Sequence, residues 1–83
     1  MEKRKKLKER LKELTGAPFA AYTVLLDLLP ENEQKKLSAS EIINCTGYTS
    51  IKPIKSALKF LANNGYVERF RQNDGQAYLY KWP

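Results

Sequence analysis

The sequence contains no histidine, a single cysteine and no apolar run long enough to span a bilayer, since the longest, Phe19 to Leu29, is short and interrupted. Without histidine the chain lacks the commonest general base and the commonest metal ligand. It also lacks a glycine-rich phosphate loop, a metal-ligand spacing and paired carboxylates beside a nucleophile. We therefore expect a protein that is not an enzyme and that needs no metal or other cofactor.

The length of 83 residues predicts a single domain with one modest core, which leaves little room for a deep small-molecule pocket. Cys45 has no intrachain partner and follows the apolar residues Ile42 and Ile43. We expect it to be a buried, small hydrophobic residue. The unpaired thiol and the lack of a signal peptide favour a reducing, cytoplasmic location and no membrane association.

The net charge is +6, from 15 Lys and Arg against 9 Asp and Glu. Residues 1–14 carry seven of these cations and three glutamates, so the first sixth of the chain holds most of the excess. A basic balance is typical of proteins with polyanionic partners, although a solvated charged helix produces the same composition.

The N-terminal segment, residues 1–16, is predicted to form an amphipathic helix from about Glu2 to Leu14. Leu7, Leu11 and Leu14 lie at helical spacing, with charged residues elsewhere. These leucines either pack on the remaining domain, residues 17–83, or are contacts between two copies in a homodimer. The charged face is either solvated or acts as a basic arm on phosphate.

A second helix is predicted from the apolar segment between Phe19 and Leu29. Gly16 is expected to end the preceding helix, and Pro18 suits a first helical turn. Pro30 ends the second helix. The polar residues 31–36 predict a loop.

Ser38 and Glu41 have the spacing of a capping box, which predicts a short helix from about Ala39 to Thr46. Gly47 is expected to take a left-handed conformation in the turn that follows, with Tyr48 plugging that turn.

Thr49 or Ser50 is predicted to cap the next helix, which ends near residues 63–65. Its core stripe is Ile54, Ala57, Leu58 and Leu61. Pro53 falls within its first turn, where its missing N–H costs little, but it is expected to push Lys52 away from helical dihedral angles.

Residues 66–72 and 76–82 alternate in character and flank Asn73-Asp74-Gly75, a strong hairpin signal. A two-stranded hairpin needs a face packed on other elements, and Tyr80 and Trp82 are the expected anchors. Tyr78 is expected in the core more often than stacked on a base.

The order of helix, two helices around a turn, and hairpin resembles the winged helix-turn-helix superfamily, most of all prokaryotic regulators of the MarR and ArsR types. The resemblance covers Pro18 to Trp82. It is carried by the motifs Thr46-Gly47-Tyr48, Leu58-Lys-Phe-Leu61 and Asn64-Gly65-Tyr66-Val67-Glu68-Arg69. It implies an α+β, mostly α fold with a three-helix core and a hairpin wing, to which this chain adds an N-terminal helix.

The resemblance further implies a homodimeric transcriptional regulator of double-stranded DNA, with helix 49–64 in the major groove and wing 67–82 on the backbone or minor groove. The residues expected at DNA fall in three groups. They are Thr49, Ser50, Lys52, Lys55, Ser56 and Lys59 on the recognition helix; Arg69, Arg71, Gln72, Asn73 and Gln76 on the wing; and Ser38 and Ser40 at the start of the preceding helix.

The exposed helix face offers lysine and hydroxyl groups but no arginine, asparagine or glutamine, so we expect phosphate contacts more than base reading. The alternatives are lysines that only solvate the helix and arginines that pair with Glu68 or other acids. Winged helices also serve as protein-interaction modules in transcription, replication or partition assemblies, and as binders of RNA or single strands. The cationic face favours duplex DNA.

Overall fold

The computed structural model describes residues 2–71 and 77–83, with side chains from residue 6 onward. The described chain is an α+β protein that is mostly helical, as expected, with a small antiparallel sheet. Its elements in order are α1 (Glu2–Glu9), a 3₁₀ turn (Arg10–Glu13), α2 (Gly16–Leu28), β1 (Lys35–Ser38), α3 (Ala39–Asn44), α4 (Ile51–Asn63), β2 (Glu68–Arg71) and β3 (Ala77–Lys81).

The N-terminal segment packs against the rest of the chain. Leu7 and Leu14 are buried in the core and Leu11 is partly buried against it. Arg10 Nη1 donates a hydrogen bond of 3.1 Å to the carbonyl oxygen of Gly65. Of the two alternatives for these leucines, packing on residues 17–83 or contact with a second copy, the structure has the first.

α2 runs through the centre of the core, as its apolar composition predicts. Tyr22 and Leu25 are completely buried, and the Tyr22 hydroxyl donates to the carbonyl oxygen of Leu7 over 2.8 Å. The expectation for Gly16 was wrong: it does not end α1 but is the first residue of α2, with a φ of 64° that suits glycine. Between the 3₁₀ turn and α2, Leu14 and Thr15 have extended backbone conformations.

The sheet has a third strand that the sequence did not predict. β1 pairs antiparallel with β3, so the strand order is β1-β3-β2 and β3 is central. Residues 31–36 were expected to form a loop because they are polar, but Lys35 and Lys36 belong to β1, in which only Leu37 is buried. Exposed lysines at positions 35 and 36 are typical of an edge strand, where charge discourages pairing with another chain.

α3 begins as predicted, with the Ser38 hydroxyl oxygen accepting a hydrogen bond from the Glu41 amide at 3.1 Å. The turn after it differs from the expectation. Gly47 does not have a positive φ; instead the Thr46 hydroxyl donates to Ile43 and accepts from the amide of Tyr48. Tyr48 does not plug the turn, because its side chain is exposed.

α4 buries the predicted stripe of Ile54, Ala57, Leu58 and Leu61 against α2 and α3. Pro53 is its third residue, and the helix is regular from Ile51 onward, so Lys52 remains helical. The amides of a first turn have no intrahelical acceptor, and proline is therefore tolerated there. Ser50 is the N-cap residue, as expected, but its side chain makes no capping hydrogen bond.

The hairpin strands β2 and β3 pair antiparallel, with Arg69 opposite Tyr80 and Arg71 opposite Tyr78. Tyr80 and Trp82 are buried anchors, as predicted. The Trp82 indole N–H donates to the carbonyl oxygen of Leu29 over 3.0 Å, which ties the end of the chain to the end of α2.

Cys45 is exposed, contrary to the expectation that it is buried. It is the C-cap of α3, where the chain leaves the helix, while Ile42 supplies the buried contact of that helix. Within the described ranges, no helix has the length and apolar character needed to cross a membrane.

Leu14 provides a test of the N-terminal packing. Leu14→Ala removes a buried side chain and should lower the free energy of unfolding by about 2–5 kcal/mol. Lys12→Ala, at an exposed position of the same segment, should change it by less than about 0.5 kcal/mol. Urea denaturation measures both values. Equal, small effects would contradict the burial of this segment.

Tyr22 makes stability depend on alkaline pH. Burial raises the pKa of Tyr22 from 10.0 to about 12. The folded chain therefore holds this proton between those pH values while the unfolded chain loses it, so the free energy of unfolding falls as pH rises. Between pH 10 and 12, the free energy of unfolding of wild type relative to that of Tyr22→Phe should fall by about 1.4 kcal/mol per pH unit. Denaturation curves measured from pH 9 upward test this; a constant difference would contradict it.

Candidate functional site

A cleft of about 390 Å³ separates α4 from the face of the hairpin that points toward the helices. Two lysines of α4, two arginines of β2 and two tyrosines of β3 line it, and among the described residues no acid does. We call it the cationic cleft, and its described lining is Ala39, Lys55, Leu58, Lys59, Arg69, Arg71, Tyr78 and Tyr80. The four cations that meet there favour a positive potential.

Helix and strand periodicity place these cations. Lys55 and Lys59 are four residues apart and lie on one side of α4, above the buried Leu58. Arg69 and Arg71 are two residues apart on β2 and point to the same face of the sheet. The cleft forms where these two surfaces meet.

Arg69 is held against an aromatic ring. Its guanidinium carbon lies 4.2 Å from the centroid of the Tyr78 ring, a cation–π geometry. The side chain is half-buried, whereas Arg71 is exposed. Within residues 2–71 and 77–83, neither arginine pairs with Glu68, while Asp74 lies outside the described residues.

Tyr80 forms the floor of the cleft beside Arg69. Burial raises the pKa of the Tyr80 hydroxyl above its usual value of 10.0, and the nearby Arg69 partly opposes this by favouring the ionised form. The ring of Tyr78 lies 6.3 Å from that of Tyr80. The Tyr80 hydroxyl is therefore neutral at physiological pH and adds no negative charge to the cleft.

The other residues predicted on α4 are exposed but lie outside the cleft. Lys52 precedes Lys55 by one helical turn and extends the basic face toward the start of the helix. Thr49, Ser50 and Ser56 are also exposed. The hydroxyl of Ser50 is not used as a cap and remains accessible.

The two serines predicted at the start of α3 differ in their environment. Ser38 donates its hydroxyl proton to Glu41 Oε1 at 3.3 Å, so its donor is used inside the cap. Ser40 is exposed, and Ala39 between them lines the cleft. The predicted residues Gln72, Asn73 and Gln76 lie outside the described residues.

Sequence reasoning found the four cations but treated helix and hairpin as separate surfaces. It also missed Tyr78 as a partner of Arg69, considering it as a core residue or a base-stacking residue. A signal was present: if Asp74 and Gly75 are the central pair of a two-residue turn, Arg71 falls opposite Tyr78. That register puts the arginines and tyrosines on one face.

Comparison of the chain with family models, with curated proteins and with solved structures gives no match. Among the described residues, no three His, Cys, Asp or Glu side chains are grouped to hold a metal ion. What the site does is therefore argued from its own residues.

Proposed function

We propose that this chain is a winged-helix protein that binds double-stranded DNA and acts in transcription regulation, with α4 in the major groove and the hairpin on the adjoining backbone. The observation that carries the proposal is the cationic cleft, in which lysines of α4 and arginines of β2 converge with no acid among the described lining residues. Phosphate neutralisation by Lys and Arg supplies most sequence-independent DNA affinity.

The dimensions of α4 support this placement. Its 13 residues span about 20 Å, and a major groove about 12 Å wide admits a helix. The exposed face between Thr49 and Lys59 carries hydroxyl and ammonium groups and no acid. Lysine suits phosphate and can also reach guanine O6 or N7. We propose backbone affinity as its main contribution and base reading as the smaller one.

We propose that a single copy of the chain forms this binding surface. Leu7 and Leu14 are buried within their own domain, so they do not offer the stripe that a dimer through the N-terminal helix would use. Lys6, Lys8 and Lys12 are exposed, which keeps a basic surface on this segment.

A second candidate function is a protein-interaction module within a larger transcription, replication or partition assembly. It is supported by four large apolar side chains with 37–45% of their surface exposed: Phe19, Tyr48, Phe60 and Phe70. Exposed apolar surface marks protein contacts when it is contiguous. Phe60 instead stacks on Tyr66 of the same chain, with ring centroids 6.4 Å apart, so the cleft is the stronger observation.

Duplex binding should weaken steeply with salt. Lys55→Ala or Lys59→Ala should each lower affinity for all duplex sequences and reduce the slope of log K against log salt by about one, because each removes one phosphate contact. Fluorescence anisotropy with a random duplex and a single strand of equal length, at several salt concentrations, measures both quantities.

Lys81→Ala is the matched control. Lys81 follows Tyr80 on β3, so strand alternation directs it to the opposite face of the sheet. It should leave both affinity and slope nearly unchanged. The proposal is contradicted if the wild-type chain binds no duplex at low salt, prefers the single strand, or loses as much affinity through Lys81 as through Lys59.

A further inference from the structure

We propose that the cationic cleft is a phosphate-binding site in which Tyr78 positions Arg69, and that it seats the sugar-phosphate backbone of one DNA strand. That the bound phosphate belongs to DNA rests on the proposed DNA-binding function. The positioning role rests on the geometry of the cleft itself.

The Tyr78 ring holds the planar guanidinium of Arg69, whose carbon lies 4.2 Å from the ring centroid, and a stack of this kind itself uses no N–H donor. Arg69 also hydrogen-bonds to the Tyr80 hydroxyl, and its other N–H groups can donate to a ligand. In the part of the chain that the structure describes, no carboxylate lines the cleft to take those donors. A planar fork of this kind matches the oxygens of a phosphate, to which arginine binds bidentately.

The size of the cleft limits its occupant. About 390 Å³ is comparable to a small-molecule site and far too small for a duplex. It has room for a phosphate with part of its sugar. Lys55 and Lys59 form the opposite wall, so such a phosphate meets cations from the helix and from the hairpin. The rest of the duplex would lie outside the cleft, along α4.

Holding Arg69 in place before binding has a measurable benefit. An arginine that is free in solution loses rotamer freedom when it binds a phosphate, and this loss weakens binding by about two- to tenfold for one side chain. The Tyr78 stack removes part of that cost. Removal of the ring should therefore weaken binding even though the charge of Arg69 is retained.

The test is a double-mutant cycle in the full chain, with Tyr78→Leu, Arg69→Ala and the double variant. Tyr78→Leu should weaken duplex binding about two- to tenfold and leave the salt slope unchanged. Arg69→Ala should reduce the slope by about one. In the Arg69→Ala background, Tyr78→Leu should have no further effect, because the side chain that it positions is absent.

Tyr78→Phe is the conservative control, since it keeps the ring and removes the hydroxyl. It should bind within about twofold of wild type, because the cation–π contact depends on the ring. A merely structural role for Tyr78 predicts instead that Tyr78→Leu weakens binding equally with and without Arg69. That result, in a wild-type chain that binds duplex, overturns the positioning role and leaves the DNA-binding function standing.

A second measurement separates the phosphate site from DNA. Inorganic pyrophosphate is titrated into ¹⁵N-labelled protein while the Arg69 Nε–H resonance is followed. We expect a saturable shift in wild type and Tyr78→Phe, and weaker binding in Tyr78→Leu. This outcome without duplex binding contradicts the DNA proposal but supports the phosphate site. An Arg69 resonance that does not respond to pyrophosphate overturns the inference.

Discussion

Edge-to-face contacts of the Tyr22 ring with Tyr66 and Trp82, at centroid distances of 5.8 and 5.5 Å, join distant parts of the chain around α2. Tyr66 lies just before β2 and Trp82 just after β3, so both outer ends of the hairpin are held at one aromatic centre. The Tyr66 hydroxyl also donates to Glu13 Oε1 over 2.8 Å, while the guanidinium of Arg10 lies over its ring. These aromatic contacts fix the position of the hairpin relative to α4, and the cationic cleft depends on that position.

The cleft brings like charges together, and their repulsion lowers the stability of the fold. Water and salt reduce this cost, because most of the cations are exposed. Lysines of α4 and arginines of β2 face each other across the cleft, and a bound phosphate would be attracted to both. Arg69 is the exception to this exposure, being half-buried on Tyr78. An arrangement that is unfavourable when empty and favourable with an anion is expected of a binding site rather than of a structural cluster.

Periodicity was sufficient to predict the long helices and the exposed basic face of α4, because a buried stripe such as Ile54 to Leu61 leaves its opposite side to solvent. It was insufficient for β1, which buries only Leu37 and owes its strand conformation to pairing with β3. The turn after α3 is held by a hydrogen bond from the Thr46 hydroxyl to Ile43. Sequence patterns point instead to the neighbouring Gly47, because glycine is the commoner turn residue. The sequence could not predict that the cations of the helix and the hairpin converge, because this depends on which face of the hairpin packs on the helices. That face is determined by the burial of Trp82 and by its hydrogen bond to Leu29.

We propose that α4 and the hairpin together form one binding surface for a nucleic-acid backbone. The most direct measurement is a titration of ¹⁵N-labelled protein with a short random duplex, followed through all backbone amide resonances. We expect the resonances of Lys55 and Lys59 to shift together with those of Arg69 and Arg71, along one binding isotherm whose affinity falls as salt is raised. Shifts confined to the exposed aromatic residues or to the N-terminal segment, or shifts of α4 without the hairpin, would contradict it.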